Sequence, residues 1–316
     1  MEALHTPVLL DAVMQYLAPY NGEGLMVDAT LGEGGHAYAF LNRFPGLRLI
    51  GIDADRDIQA RARERLREFE DRAQWRVGWS QDFFSAYPQD AERPDRILID
   101  LGISLYHYEQ SGRGFSFRKD EYLDMRIDTC RGTSVAELLA RISERELADM
   151  LYQNGEERYS RRIARGIVRA RSRGAIGSSA GLAAVVELSV PPKYRHGPTH
   201  PATRTFQALR IAVNGELIQL RALLENALGV LKAGGRMGVI SFHSLEDRIV
   251  KNFFREQCRG FSALSGEPIG KDGPVPVMRL VNRKPVTPSA AEARNNPPSR
   301  SAKLRVAEKV LDGGYG

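Results

Sequence analysis

Short apolar runs alternate with amphipathic segments over the N-terminal third of the chain. The apolar runs cover residues 24–28, 47–53, 75–77 and 95–100. Between the second and third runs, Ile58, Ala62 and Leu66 recur at a spacing of three to four, which predicts a helix with one buried face. Apolar runs separated by helices are typical of a parallel sheet covered on both faces. The pattern therefore predicts a doubly wound α/β fold.

This alternation stops after Gly102, and only helical signals follow until about residue 201. Capping boxes lie at 134–137 and 143–146, and further helix candidates cover 155–173 and 182–188. The sequence therefore predicts an all-helical domain inserted into the α/β domain. The predicted boundaries give a first α/β part at 1–108, a helical insert at 109–203 and a second α/β part at 204–316.

The alternation resumes in the C-terminal third with an apolar stripe from Phe206 to Leu231, which predicts one long helix that ends before Gly234. A fifth strand is predicted at 236–242, and a helix at 244–255. The tail contains two more strand candidates, at 277–281 and 302–306. We expect these two segments to pair antiparallel at the edge of the sheet.

Composition narrows the class of protein without identifying its function. The 316 residues carry a net charge of +6 and contain two cysteines, Cys130 and Cys258, which excludes a disulfide framework and suits a reducing, cytoplasmic setting. No apolar stretch is long enough to predict a membrane span, and the first ten residues do not resemble a secretory signal. The excess of basic over acidic residues favours a polyanionic partner, although many enzymes have a similar excess.

The strongest local motif is the glycine-rich segment from Asp28 to His36, which joins the first strand to a helix. Glycines at 32, 34 and 35 would let a ligand approach the backbone, and Asp53 follows Gly32 by about 20 residues, as a ribose-binding carboxylate does. This pattern suits either NAD or S-adenosylmethionine (SAM). The acid at position 28 favours SAM, whose ammonium group needs a nearby oxygen. The alternative is that the glycines only form a tight turn.

Acidic residues end three of the predicted strands. Since ligands bind at the C-terminal ends of strands in doubly wound sheets, we expect Asp28, Asp53 and Asp100 to lie along one edge. The alternative for each acid is a helix cap. His243 follows the fifth strand and should reach the same edge, where it either contacts substrate or has a structural role.

Arginines are concentrated in the predicted insert, where residues 158, 161, 162, 165 and 169 share one helical face and Arg171 and Arg173 follow. Two neighbouring glutamates do not neutralise them, so we interpret Arg158, Arg161, Arg162 and Arg165 as phosphate contacts rather than as a solvated face. Phe115 and Phe117 alternate with small residues nearby. They either stack on an extruded base or pack the insert.

Several of these segments together resemble the bacterial 16S ribosomal RNA cytosine-N4 methyltransferases, the MraW family. The matching segments are 28–36, 100–104, 113–117, 123–126, 155–158, 200–207 and 241–248, with 5–10 and 296–301 at the ends. The resemblance covers nearly the whole chain. It implies a Rossmann-like class I methyltransferase fold and transfer of a methyl group from SAM to N4 of a cytosine in the decoding region of the small ribosomal subunit.

The resemblance also implies which residues contact the cofactor. By position these are Gly34, Gly35, His36, Asp53, Phe84 and Asp100. The segment Leu105-Tyr106-His107 departs from the Ser-Pro-Gln usual in the family, so His107 stands where the family has a cofactor-contacting Gln.

Methyl transfer from a sulfonium to an amine depends mainly on positioning and requires no metal. Cytosine N4 is a poor nucleophile because its lone pair is delocalised into the ring. A hydrogen-bond acceptor on the N4 protons would localise that pair, and Asp100, or a backbone carbonyl near it, is our candidate for this acceptor. An NAD-dependent oxidoreductase and a non-catalytic RNA-binding protein are the competing interpretations. The sequence does not decide between a monomer and a dimer.

Overall fold

The computed structural model describes residues 6–172, 176–197, 199–259 and 276–310. Two compact units are present, one formed by Met1–Gly102 with Leu217–Gly316 and the other by Ile103–Glu216. We call the first the sheet unit and the second the helical unit. The strands are β1 (Glu23–Asp28), β2 (Gly46–Asp53), β3 (Ala73–Val77), β4 (Arg96–Asp100), β5 (Arg236–Ser241), β6 (Met278–Leu280) and β7 (Lys303–Lys309).

Helices account for most of the remaining described residues. They are α1 (Leu10–Leu17), α2 (Gly35–Arg43), α3 (Arg56–Arg65), α4 (Ser80–Ser85), α5 (Leu105–Glu109), α6 (Val135–Arg141), α7 (Glu144–Gly155), α8 (Ser160–Arg171), α9 (Ser179–Ser189), α10 (Pro192–Arg195), α11 (Thr203–Asn214), α12 (Glu216–Val230), α13 (Ser244–Gln257) and α14 (Ala290–Asn295). Short 3₁₀ turns lie at Tyr20–Gly22, Arg67–Phe69 and Pro297–Ser301. No helix among the described residues has the length and apolarity that crossing a lipid bilayer requires.

The sheet of the sheet unit has the strand order β3-β2-β1-β4-β5-β7-β6. The pairs from β3 to β5 are parallel, whereas β7 pairs antiparallel with both β5 and β6. Side chains alternate between two apolar cores, so that Met26 of β1 packs in one and Val27 in the other. The predicted doubly wound sheet is confirmed, and so is the antiparallel edge pair formed by the two tail segments.

The helical unit has its own apolar core, to which α6, α7, α8, α9 and α11 contribute. The predicted capping boxes are present, since Ser134 pairs with Glu137 and Ser143 with Glu146. No strand lies within this unit among its described residues, apart from one isolated bridge between Tyr122 and Ser178. The inserted helical architecture is therefore as the sequence predicts.

The limits of the helical unit differ from the division at 108–109 and 203–204 made from the sequence. The unit begins at Ile103 and extends to Glu216, because Phe206 and Leu209 of α11 belong to its core. The prediction of one long helix from Phe206 to Leu231 was wrong. Gly215 has a φ of 62° and ends α11. The apolar stripe is therefore divided between α11, which packs in the core of the helical unit, and α12, which packs in a core of the sheet unit.

Candidate functional site

The turn between β1 and α2 holds the glycines that the sequence singled out. Gly32 and Gly34 have positive φ angles of 53° and 75°, which favour glycine. A Cβ on Gly34 would lie 2.8 Å from Cδ1 of Leu66, and one on Gly35 would lie 2.6 Å from Cγ of Pro7. A Cβ on Gly32 would meet nothing closer than 4.0 Å. A side chain at 34 or 35 would therefore force its neighbours to shift, whereas the space beside Gly32 is open. The predicted backbone contacts of Gly34 and Gly35 with the cofactor stay predictions.

Asp53, at the end of β2, is hydrogen-bonded to this turn. Its Oδ2 accepts a hydrogen bond from the N–H of Gly32 at 2.9 Å, and its Oδ1 accepts one from the N–H of Asp55 at 2.9 Å. Each carboxylate oxygen can accept more than one hydrogen bond. The arrangement suits the predicted ribose contact, which stays a prediction.

The three acids lie at the same edge of the sheet, on neighbouring strands. Asp28 is in register with Gly51 of β2 on one side and with Leu98 of β4 on the other. Asp53 and Asp100 are the last residues of those two strands. The prediction that these acids share one edge is confirmed, and we call Asp28, Asp53 and Asp100 the acid rim.

Two members of the acid rim are held in an environment that disfavours their charged form. Burial raises the pKa of Asp28 to about 7; the N–H of Thr30 opposes the shift, and the carboxyls of Asp100 and Asp53 add to it. Burial also raises the pKa of Asp100 to about 7, opposed by the N–H of Gly102 and assisted by Glu246. Among the described residues, no lysine or arginine forms an ion pair with either carboxyl.

Asp100 is positioned by contacts on several sides. Its Oδ1 accepts from the N–H of Gly102 at 3.1 Å, and its own N–H donates to Oγ1 of Thr30 at 2.6 Å. Its Oδ2 lies 3.7 Å from Nδ1 of His36. The other ring nitrogen of His36 lies 3.0 Å from the carbonyl of Val8. The side chain of His36 is therefore buried beside Asp100.

Sequence reasoning missed the supporting residues of this site. Thr30 sits inside the glycine segment, but its hydroxyl was not recognised as the partner of the Asp100 backbone. Phe242 packs so closely that a Cβ on Gly102 would lie 2.7 Å from its ring. The periodicity of the strand gives no sign of either contact, because both depend on which loops the fold brings together.

Phe84 lies on α4 in the sheet unit and is buried. Its ring makes an edge-to-face contact with Phe83, at 5.3 Å between centroids, and packs in the same core as Val27 and Ile99. The first turn of α4 is tied to β1 by a hydrogen bond from the Ser80 hydroxyl to the carbonyl of Ala29. This places Phe84 near the strand that carries Asp28. Its predicted cofactor contact is neither supported nor contradicted by these packing contacts.

His243 serves as the N-cap of α13. Its Nδ1 accepts from the N–H of Glu246 at 3.4 Å, and the Glu246 carboxylate accepts in return from the N–H groups of Phe242 and His243. Nε2 of His243 lies 3.0 Å from Oε1 of Glu246. Nδ1 is therefore used in capping, whereas the buried Nε2 has no hydrogen-bond partner among the described residues. The predicted substrate contact of His243 stays a prediction.

Within the helical unit, the aromatic residues near the insert's start are engaged in packing. His107 is buried, with its ring centroid 4.9 Å from that of Phe115, which is only 5% exposed. Phe117 is half-buried and stacks on His200. The low exposure of Phe115 favours its packing alternative. The predicted cofactor contact of His107 stays a prediction.

The arginine face of the helical unit divides into exposed and engaged side chains. Arg161, Arg162 and Arg169 are exposed and form no ion pair with any described residue. Arg165 is exposed and lies 3.3 Å from Oε1 of Glu144. Arg158 is exposed, with its guanidinium 4.9 Å from the ring centroid of Tyr194 and at the same distance from that of Tyr159. The face therefore offers several charges to an anion.

Arg171 differs from the other members of the series. Its guanidinium donates to the carbonyls of Leu139 at 2.7 Å and Ile142 at 2.8 Å, where it caps the end of α6. Arg171 follows the predicted arginine face in the sequence, and this contact gives it a structural role. Arg173 lies outside the described residues.

Comparison with known proteins gives a consistent result over the whole chain. The model of the MraW methylase family matches residues 2–310. The ribosomal RNA small subunit methyltransferase H of Treponema denticola is 51% identical over 310 residues, which is 98% of each chain. Proteins of the same name from Methylobacterium nodulans and Heliobacterium mobile are 45% and 42% identical; they match 97% and 98% of this chain, and 90% and 100% of their own.

These matches confirm the resemblance drawn from the motifs, together with the Rossmann-like methyltransferase fold and SAM as the cofactor. A methylase family is inconsistent with an NAD-dependent oxidoreductase and with a non-catalytic RNA-binding protein. The glycine turn and Asp53, which suit NAD equally well by pattern, stay predicted cofactor contacts, with SAM as the cofactor.

Proposed function

Because this chain belongs to the MraW methylase family, we propose that it transfers the methyl group of SAM to N4 of a cytosine in the decoding region of 16S ribosomal RNA. Relatives named ribosomal RNA small subunit methyltransferase H match it over nearly their full length, which supports the choice of substrate. The small ribosomal subunit is the proposed partner, and the cytoplasm is the proposed place of action. The choice of N4 and of cytosine rests on the family resemblance.

One observation carries the cofactor assignment at the level of the structure. Asp28 is buried and the side chain of Asp100 is 18% exposed, and neither is neutralised by a lysine or arginine among the described residues. Buried acids without a cation are costly, and a cationic ligand would relieve that cost. SAM carries positive charge on both its sulfonium and its ammonium group. The charge of the acid rim therefore fits this cofactor better than it fits NAD, whose pyrophosphate is anionic.

In our proposal, different residues of the sheet unit contact different parts of the cofactor. Gly32 leaves room for the ligand, Asp53 accepts hydrogen bonds from the ribose hydroxyls, and Asp28 attracts the ammonium group. When bound, SAM supplies a methyl group that is already activated by its attachment to sulfur. The protein's part is then to orient the two reactants and to remove a proton.

Asp100 is the proposed acceptor of that proton. As N4 forms its bond to the methyl carbon, the carbon–sulfur bond breaks and N4 loses one hydrogen as a proton to Oδ2 of Asp100. Oδ1 is held by the N–H of Gly102 at 3.1 Å, which leaves Oδ2 for the substrate. A pKa of about 7 keeps both forms of the carboxyl populated near neutral pH, as a general base requires.

The exposed arginines of the helical unit are the proposed contacts to the RNA backbone. Arg161 and Arg162 project from α8 without protein partners among the described residues, and Arg165 shares the same face. Phosphate contacts of this kind supply affinity without reading the sequence. The arginine face therefore holds the RNA, and the choice of nucleotide is made elsewhere.

A methyl-transfer assay tests this proposal directly. Purified protein and radiolabelled SAM are incubated with small-subunit particles from cells that lack the gene, and the labelled nucleotide is identified by mass spectrometry. We expect label in N4-methylcytidine of 16S ribosomal RNA. Asp100→Asn should reduce the transfer rate strongly, whereas Asp90→Asn, at an exposed turn of the same unit, should not. Label in another nucleotide, or none with the wild-type protein, would contradict the proposal.

A further inference from the structure

Three rings in the helical unit form a short ladder from its core to its surface. Phe206 is buried and meets Phe117 edge to face, with ring centroids 5.2 Å apart and an interplanar angle of 78°. Phe117 in turn stacks on His200, with centroids 4.3 Å apart and an angle of 24°. His200 is exposed, so the ladder ends in an imidazole at the surface of the helical unit.

The position of the His200 ring is fixed from a second direction. Its Nδ1 accepts a hydrogen bond from the N–H of Ala202 at 3.2 Å, and its carbonyl accepts from the N–H of Thr203 at 3.0 Å, at the start of α11. The neutral ring therefore carries its proton on Nε2. A surface ring that is held both by stacking and by a hydrogen bond loses little freedom when a ligand covers it.

Two exposed arginines lie close in sequence to the rings of this ladder. Arg118 directly follows Phe117 and is exposed. Arg204 follows His200 at the start of α11, is also exposed, and donates to the carbonyl of Glu156 at 2.7 Å. Single-stranded nucleic acids are bound by this combination, in which an aromatic ring stacks on a base and nearby cations contact the flanking phosphates.

We propose that His200 is the ring on which an unpaired base of the RNA substrate stacks, and that Phe117 supports it from beneath. The inference rests on the proposed function, because it takes RNA as the substrate. It assigns the stacking face to His200 instead of Phe117, since one face of Phe117 is already covered. Histidine is among the side chains on which splayed bases stack in RNA complexes.

The test compares aromatic and non-aromatic replacements of His200. Affinity for a fluorescently labelled single-stranded RNA of the decoding region is measured by anisotropy for wild type, His200→Ala, His200→Leu and His200→Phe. We expect the Ala and Leu variants to bind about 5- to 160-fold more weakly, because a stacked base contributes about 1–3 kcal/mol. The Phe variant should bind within about twofold of wild type, because it keeps the stack without the N–H.

Two controls make the outcome specific. His196→Ala removes another exposed histidine of the helical unit and should leave RNA affinity unchanged. The circular dichroism spectrum and melting temperature of every variant report whether the helical unit is folded, and His200→Leu keeps apolar contact with Phe117 if the Ala variant is unstable. Wild-type affinity in the Ala and Leu variants would overturn the proposal. So would a Phe variant as weak as Ala, which would assign the role to Nε2.

This test fails separately from the proposed function. If the wild-type protein methylates 16S ribosomal RNA while His200→Ala binds RNA normally, the stacking role alone is wrong. If the wild-type protein transfers no methyl group to small-subunit particles, the proposed function is wrong, whichever variant binds the oligonucleotide.

Discussion

Titration of the acid rim gives the sharpest test of how this protein binds SAM. The pKa values of Asp28 and Asp100 are both raised to about 7, and each carboxyl must be ionised to attract the positive charges of the cofactor. Between pH 6 and pH 8 the ionised fraction of such a group rises from about one tenth to about nine tenths. SAM affinity should therefore rise about tenfold for each carboxyl involved, or about 100-fold for both.

Isothermal calorimetry across this pH range measures the effect. Repeating the titrations in buffers of different ionisation enthalpy also counts the protons that binding releases, which should be largest below pH 7. Asp28→Asn removes one of the two groups, so its affinity should vary only about tenfold over the same range and should be about 100-fold weaker at pH 8. Asp90→Asn changes an exposed carboxylate of the same unit and should behave like wild type.

The same raised pKa values predict an opposite trend for the protein without ligand. A carboxyl whose pKa is higher in the folded state stabilises the fold at low pH, and that stability is lost as the pH rises from its ordinary value of 3.8 to about 7. The melting temperature without SAM should therefore fall over this range, and SAM should restore it. A SAM affinity that is independent of pH, with no proton release, would refute the assignment of charge to the acid rim.

Three further variants test other parts of the structure. Asp53→Ala should lower SAM affinity by about 1.5–3 kcal/mol in calorimetry, since it removes acceptors for the ribose; unchanged affinity would contradict that role. Gly34→Ala should lower the free energy of unfolding in urea by about 1–3 kcal/mol, because its φ is positive and Leu66 fills the Cβ position; wild-type stability would contradict the packing argument. Arg161→Ala with Arg162→Ala should weaken RNA binding and reduce its dependence on salt by about two phosphate contacts; an unchanged slope would remove α8 from the interface.

Most of the sheet unit could be predicted because its strands are short apolar runs bounded by glycine, proline or acidic residues. Such runs have little choice of conformation once helices separate them, and the register of Asp28 with its neighbours follows from the parallel pairing. The stripe from Phe206 to Leu231 shows where this reasoning fails. Apolar spacing continues through Gly215, so periodicity alone does not reveal that two helices face different cores.

The functional residues at strand ends could be predicted from the sequence. The residues whose role depends on tertiary contacts could not. The positions of the acid rim followed from the rule that ligands bind at strand ends. The covering of Phe117 by His200 did not, because the two residues are far apart in sequence and nothing in their local pattern joins them. Arg171 follows the exposed arginines in the sequence, but its guanidinium donates hydrogen bonds to carbonyls at the end of α6.

The glycine turn has a consequence for how distant sequences of this kind are classified. Leu66 and Pro7 fill the Cβ positions of Gly34 and Gly35 whether or not a cofactor binds, so packing favours glycine there even in a descendant that had lost catalysis. Replacement of Asp28 and Asp100 would be favoured in such a descendant, because without a cationic ligand each acid lowers the stability of the fold at neutral pH. Loss of the activity should therefore show first as neutral residues at 28 and 100 beside an intact pair of glycines.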